Sequence, residues 1–307
     1  MKIVKPLLFC CFLVLFASFD ANAWGYWAHR KINNKAIETL PKGMSGFYKY
    51  YIDYLTEHAV DPDKKRFCDM NEGPHHFIDL DHYCDYPCDS FPRYWKDAIA
   101  KYSEDTLNKY GVVPWYIGLK YYDLVHAFMD QDADRILKIS ANLGHYIADS
   151  YVPLHATINY DGQLTGQNGI HAFWESTVPE FLSYTYNYDV GPAKFINDVN
   201  KFTWTGILGS ESEIDSVLTT ERELLKSMPM DKIYCYEINR NNKITPTFSD
   251  QFIITYNTRL HDMAQRRLRS SIFAVGSLWM SAWVEAGQPD LDKLIGKATP
   301  DEKENDQ

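Results

Sequence analysis

Gly144-His-Tyr-Ile-Ala-Asp-Ser-Tyr-Val-Pro-Leu-His155 is the stretch on which the fold turns. Asp132 is a good N-cap and Pro153 a stop, so the pattern predicts a helix from about Asp132 to Tyr151. On that helix His145 and Asp149 stand at i and i+4, and both side chains point the same way. The turn at Pro153 brings His155 back toward the same face. An imidazole and a carboxylate on one helix face, met by a second imidazole, form a donor set for a metal ion.

The pattern recurs downstream. His171-Ala-Phe-Trp-Glu175 again puts an imidazole and a carboxylate at i and i+4 on a predicted helix. Upstream, His76-Phe-Ile-Asp79 and Asp61-Pro-Asp63-Lys64 lie in a stretch, residues 61–93, rich in Asp, Pro, Gly and Cys. That stretch reads as a long loop, and long ordered loops usually carry function. Taken singly, a His–carboxylate pair on a helix is more often a satisfied core pair than a ligand pair. Four such pieces in one chain, with a fifth at the chain start, argue for a metal cluster. Nitrogen and carboxylate donors without thiolate suit zinc.

The chain start adds to the set. Lys2 and Lys5, the apolar run from Pro6 to Phe19, and Ala21-Asn22-Ala23 read as a secretory leader over residues 1–23 with a small-x-small cleavage site. Cleavage after Ala23 would free the α-amine of Trp24, five residues before His29. An α-amine with its own carbonyl can chelate a metal, and His29 would be a third ligand. The product should be secreted or periplasmic. Four cysteines remain outside the leader, Cys68, Cys84, Cys88 and Cys235. In an exported protein an even number suggests disulfides. Cys84 and Cys88 can close a small loop, Cys68 with Cys235 would then be the long bridge, and three pairings stay open.

Bulk properties narrow the class. The 307-residue chain carries a formal charge of −10. It gains nothing from a general attraction to phosphate backbones, so a phosphate ligand would need a local cationic centre such as bound metal. No second apolar run is long enough to span a bilayer. Helical periodicity is expected over residues 28–40, 44–58, 93–110, 114–129, from His171 through the 180s, 215–228 and 255–286. Tyr234–Ile238 and Ile244–Phe248 read as a short hairpin. Residues 190–215 have no clear pattern. The expected class is all-α: one catalytic multi-helix domain over residues 24–286, long metal-binding loops, and a charged, frayed tail over 287–307.

These motifs, in this order and spacing from Trp24 to Glu175, resemble the superfamily of three-zinc phosphodiesterases. It contains bacterial zinc-dependent phospholipases C and the fungal and plant zinc nucleases that cut single-stranded nucleic acid. The resemblance implies three Zn2+ ions. One would be held by Asp61, His76, His145 and Asp149, a second by His155, His171 and Glu175, and a third by Trp24 and His29, with Asp149 bridging the first and third. Asp63, two residues on, is the alternative to Asp61. Asp61 would orient the attacking water or take its proton. His76 rather than His75 fits the pattern, and Asp79 reads as a supporting group. His58, His82, His126 and His261 match nothing.

Glu175 and the His-Tyr-x-x-Asp run resemble the phospholipase branch. Pro153-Leu154-His155 and the cysteines resemble the nuclease branch. Aromatic residues between Phe67 and Tyr86 could stack bases or rest transiently on a membrane surface. The expectation is a monomeric phospholipase C-like phosphodiesterase. A single-strand nuclease is the alternative, and a non-catalytic zinc-binding exported protein is a third reading. One extra residue inserted before Trp24 is expected to displace the chelating amine and to lower both zinc content and activity of the processed protein. Unchanged zinc content and rate would rule out the terminal ligand.

Overall fold

The computed structural model describes residues 25–238 and 242–299. The leader, Trp24 and residues 300–307 lie outside the described residues. The fold is all-α apart from one two-stranded hairpin. Its main helices are α1 (Tyr26–Glu38), α2 (Lys42–Tyr50), α3 (Ile52–Glu57), α4 (Val113–Met129), α5 (Ala133–Asp149), α6 (Val199–Glu211), α7 (Ile214–Ser227), α8 (Asp250–Arg259) and α9 (Met263–Glu285). The hairpin strands are β1 (Tyr234–Ile238) and β2 (Ile244–Phe248), the two segments expected to form it.

Helix α5 runs through the centre. The Asp132 side chain caps it by accepting from the Arg135 amide at 3.1 Å. From Leu143 to Asp149 every residue is buried, so this end of the helix is surrounded by protein. It packs against α1, α3, α4 and α9. The largest buried side chains include Trp174, Trp279, Tyr48 and Tyr121, each contributing about 1.5–3 kcal/mol of apolar burial. The polar ends of Tyr48 and Trp279 find partners where α5 passes. The Tyr48 hydroxyl lies 2.8 Å from Ser140 Oγ, and the Trp279 indole donates to the Ser140 carbonyl at 3.0 Å.

After α5 the chain turns through Tyr151 and Val152 into a 3-10 turn, Pro153–Ala156. Arg267, reaching in from α9, donates to the Tyr151 carbonyl at 2.7 Å and the Gly206 carbonyl at 3.0 Å. A helix end leaves its last carbonyls without partners, and this guanidinium pins the chain just past that end. The turn that carries His155 is thereby set against α6.

Several expected helices are interrupted. Residues 44–58 divide at Tyr51 into α2 and α3. Residues 93–110 divide into Trp95–Tyr102 and Glu104–Lys109 because Ser103 adopts φ 69° and caps the second piece. The long helix expected over 255–286 breaks between α8 and α9, where His261 and Asp262 have φ of 51° and 55°. Asn257 Nδ2 donates to Asp262 Oδ1 at 2.7 Å across that corner, a local side-chain bond that helps a non-glycine residue occupy the left-handed region. The long loop at 61–93 contains the short helix Asp61–Lys65 and 3-10 turns at Gly73–His76 and Leu80–His82.

Two further expectations need correction. Residues 287–299 are not frayed: Leu291 and Leu294 are buried, and the Thr299 amide donates to Asp134 Oδ1 at 2.7 Å. Apolar residues spaced three apart in a charged segment suffice to dock it. Cys84 and Cys88 are paired, but Cys68 and Cys235 are both free thiols, so the long bridge does not form. Among the described residues no helix is long and apolar enough to cross a membrane.

Gly144 lets α1 and α5 approach closely. A Cβ there would lie 2.0 Å from Asn33 Oδ1, and Asn33 Nδ2 bridges the Ala141 and Leu55 carbonyls at 3.0 and 3.2 Å. On an open helix alanine would be worth about 1 kcal/mol over glycine. Here the overpacking penalty of about 1–3 kcal/mol wins. Gly144→Ala is therefore expected to lower the unfolding free energy in a denaturant titration. A gain in stability would show that α1 and α5 are not locked at this point.

Candidate metal centre

Close contact between α1 and α5 stacks the rings of His29 and His145, with centroids 3.8 Å apart. Asp149, one turn further along α5, lies beneath both. Its Oδ1 is 3.3 Å from His29 Nε2, and its Oδ2 is 3.3 Å from His145 Nε2 and 2.9 Å from His76 Nδ1. The two oxygens of one carboxylate thus face different imidazoles, the geometry expected of a bridging ligand. His76 Nδ1 and His145 Nε2 are 3.0 Å apart. His155, His171 and Glu175 form a separate group: His171 Nε2 is 3.2 Å from His155 Nε2 and 2.9 Å from Glu175 Oε2. Among the described residues three buried donor sets result: His29, His145 and Asp149; Asp63, His76 and His145; His155, His171 and Glu175.

The corrected member is Asp63. Asp61, expected as ligand and catalytic carboxylate, is turned outward and bonded to His58 and to Lys64 Nζ at 2.8 Å. Burial pushes its carboxyl up, but the hydrogen bonds from His58 and Lys64 outweigh this and hold it below the usual range. Asp63 instead points inward, with Oδ1 3.8 Å from His145 Nε2 and 3.9 Å from His76 Nδ1. The short helix Asp61–Lys65 decides this: residues two apart on a helix face different sides, so only one of the pair can face α5. His76 is buried as expected, while its neighbour His75 stacks on Tyr116 at 3.6 Å. Asp79 belongs to none of the donor sets; burial, with Asp81 nearby, pushes its carboxyl up to about 7. Trp24 lies outside the described residues. Its successor Gly25 donates from its amide to the Glu175 carbonyl at 3.3 Å.

That carbonyl is available for a reason in the sequence. Pro179, four residues after Glu175, has no N–H to donate to it. The segment correspondingly departs from regular helix, with an α turn at Ile170–Ala172 followed by a π turn at Phe173–Thr177. Such π turns are frequent at functional sites.

A surrounding layer of acceptors orients the rings. Nδ1 of His145, His155 and His171 lies 2.9, 2.5 and 3.1 Å from the carbonyls of Ala59, His76 and Tyr160. An Nδ1–H donated to a carbonyl leaves the Nε2 lone pair for the cluster, the arrangement typical of metal-bound imidazole. The His76 ring is reversed, using Nδ1 inward. Its Nε2 is 3.5 Å from Glu72 Oε1, and Glu72 also holds the Tyr146 hydroxyl and Lys65 Nζ. Sequence reading missed Glu72. The signal was present in its i, i+4 relation to His76, but a glutamate before Gly73-Pro74 does not look helical.

The electrostatics match this donor chemistry. Burial opposes ionisation of Asp149, but His145 and His155 overcome it and hold the carboxyl well below the usual range. His145 is lowered by burial yet raised more by Asp149 and Asp63, to about 9. Burial pushes His171 down to about 4 and Glu175 up to about 8, so this pair by itself is uncharged at neutral pH. Both oxygens of Asp63 and of Glu175, and Oδ1 of Asp149, are buried without a hydrogen-bond donor. Each such orphan costs about 1–3 kcal/mol, more for an ionised group. A cation relieves this cost and keeps Glu175 ionised. The donor sets therefore fit metal ions.

No protein-family model matches this chain, and no curated protein matches it. Asp63→Ala is expected to lower the metal-to-protein ratio measured by elemental analysis, while Asp61→Ala leaves it near wild type. The opposite ranking would restore Asp61 as the ligand. Asp149→Asn should lower the ratio more than replacement of His29, His76, His155 or His171, each of which belongs to one donor set, because its two oxygens face different imidazoles.

Proposed function

We propose that the protein is an exported zinc-dependent phosphodiesterase of the three-zinc phospholipase C and nuclease type, with phospholipase C-like activity. The observation that carries this reading is the set of three buried nitrogen and oxygen donor groups, two of which share His145 and are spanned by the carboxylate of Asp149. Structural zinc does not need such a shared set with unpaired carboxylate oxygens. Zinc is the metal suggested by imidazole and carboxylate donors without thiolate. Three ions is the number the donor sets suggest, and the family resemblance would add Trp24, outside the described residues, as a ligand beside His29. When bound, the ions supply Lewis-acid charge that lowers the pKa of a water to about 7 and neutralises phosphoryl and leaving-group oxygens.

The chain's own residues would do the rest. Asp63, in place of Asp61, would be the carboxylate that orients the attacking water and accepts its proton, since it is the inward one and its oxygens accept no hydrogen bond. Arg66 Nη1 lies 3.6 Å from Asp63 Oδ1. That guanidinium is partly exposed, and in this reading it would bind the phosphoryl oxygens as charge develops on them. The carbonyl bonds to His145, His155 and His171 hold the rings against rotation, so little reorganisation is needed during reaction.

Glu175 and the His145-Tyr146-Ile147-Ala148-Asp149 run favour a phospholipid substrate. Single-stranded nucleic acid is the second reading, favoured by exposed aromatic rings near the donors. Tyr160 is half-exposed with its ring 5.9 Å from that of His171, and Phe67 adjoins Arg66 in the chain. Rings so placed can stack bases.

The test is hydrolysis of a chromogenic phosphodiester by the processed protein, followed by a phosphocholine ester and single-stranded DNA compared side by side. Chelation should abolish turnover and added Zn2+ should restore it. Arg66→Met should lower kcat by about 10²-fold or more. Cleavage of the phosphocholine ester alone supports the phospholipase reading, and cleavage of DNA alone supports the nuclease. Zinc bound with no turnover on any phosphodiester would leave only a zinc-binding protein.

A further inference from the structure

Gly25 is where α1 meets the turn that carries Glu175. Its amide donates to the Glu175 carbonyl at 3.3 Å, and its own carbonyl accepts from the amides of Ala28 at 2.7 Å and His29 at 3.4 Å. One residue thus ties the segment of one donor set to the helix that brings His29 to another.

Glycine stands there for reasons of space. Its φ of −43° is negative, so no left-handed conformation calls for glycine. It is the N-cap of α1 and supplies no side-chain cap, at a position where Ser, Asp or Asn would normally be preferred. A Cβ on Gly25 would lie 2.3 Å from Ser176 Oγ, 2.8 Å from Ser176 Cβ and 3.1 Å from Glu180 Oε1. The glutamate end is flexible and can swing away. The Cβ of Ser176 is fixed to the backbone of the π turn and cannot. Carbon–carbon contact is comfortable from about 3.5 Å, so any side chain at position 25 must part the two backbones by about 0.7 Å. Metal–ligand distances tolerate only about 0.2 Å.

We infer that Gly25 is a positioning residue for the metal centre: its contact with Ser176, which only glycine permits, holds the processed chain start where its amine can join His29. The residue before Gly25 is tethered to it at about 3.8 Å between Cα atoms, so anchoring Gly25 limits how far that amine can stray. The inference rests on the reading of Trp24 as a ligand and adds to it the device that sets the ligand in place.

The experiment uses the full processed protein as wild type and as Gly25→Ala, Gly25→Ala with Ser176→Ala, and Gly25→Ala with Ser176→Gly. Near neutral pH the α-amine reacts with amine reagents well ahead of lysine, because its pKa is about 8 rather than about 10.4. Labelling of the N-terminal peptide is followed by mass spectrometry with and without Zn2+. Zinc content is measured on the same samples at a fixed free Zn2+ concentration.

Zinc is expected to protect the wild-type amine. Gly25→Ala should lose that protection and bind zinc about 10- to 100-fold more weakly. Ser176→Ala removes only the Oγ contact and should restore part of both. Ser176→Gly removes the Cβ contact as well and should restore most. A general loss of helix stability would be deepened by a second glycine, not repaired.

Protection in Gly25→Ala equal to wild type overturns the inference alone. So does a loss that Ser176→Gly leaves unrepaired. A wild-type amine that zinc does not protect overturns the terminal-ligand reading, and the inference with it.

Discussion

A buried carboxylate shared among three imidazoles organises this molecule. Asp149 lies within 3.3 Å of nitrogens on His29, His76 and His145, and these come from α1, the 61–93 segment and α5. Placing an ionised carboxylate in a dry core is costly unless positive charge surrounds it. His145, lowered by burial but raised more by Asp149 and Asp63, supplies part of that charge and a bound cation would supply the rest, so the elements that carry the donors must dock together. Gly144 permits the approach, Asn33 ties α1 to α5, and the backbone carbonyls of Ala59, His76 and Tyr160 hold the rings. The packing of the bundle and the assembly of the donor sets are one event.

The same economy explains the unpaired oxygens of Asp63 and Glu175. A stable core does not leave buried carboxylate oxygens without donors for structural reasons. Burial alone would leave Glu175 protonated near neutral pH, and a protonated carboxyl is a poor ligand. A cation reverses that balance by its own charge. The donor groups are therefore unfavourable alone and favourable with metal, the thermodynamic condition for tight coupling between metal binding and folding.

Much of this was legible in residue order because helical spacing converts directly into shared faces. His145 with Asp149, His171 with Glu175, and Pro153 returning His155 all follow from 3.6 residues per turn and one imino acid. What failed did so where a choice depended on a neighbour distant in sequence. Asp61 and Asp63 have the same chemistry and stand two residues apart, and only the seating of their short helix against α5 turns Asp63 inward. Glu72 acts through His76 and Tyr146, and its role exists only once those three meet. The break at His261 and Asp262 comes from left-handed backbone held by Asn257, which no glycine or proline announces. The 287–299 segment looked too charged to dock, yet Leu291 and Leu294 are enough.

Residue identity and spacing alone specified an all-helical chain and the imidazole and carboxylate pairs that stand on single turns of helix, because both depend on contacts within four residues. Which aspartate joins those pairs, how Asp149 divides its oxygens, and which cysteines meet were decided by folding. These depend on distances between segments tens of residues apart, set by packing density and by the cost of leaving a buried charge unanswered.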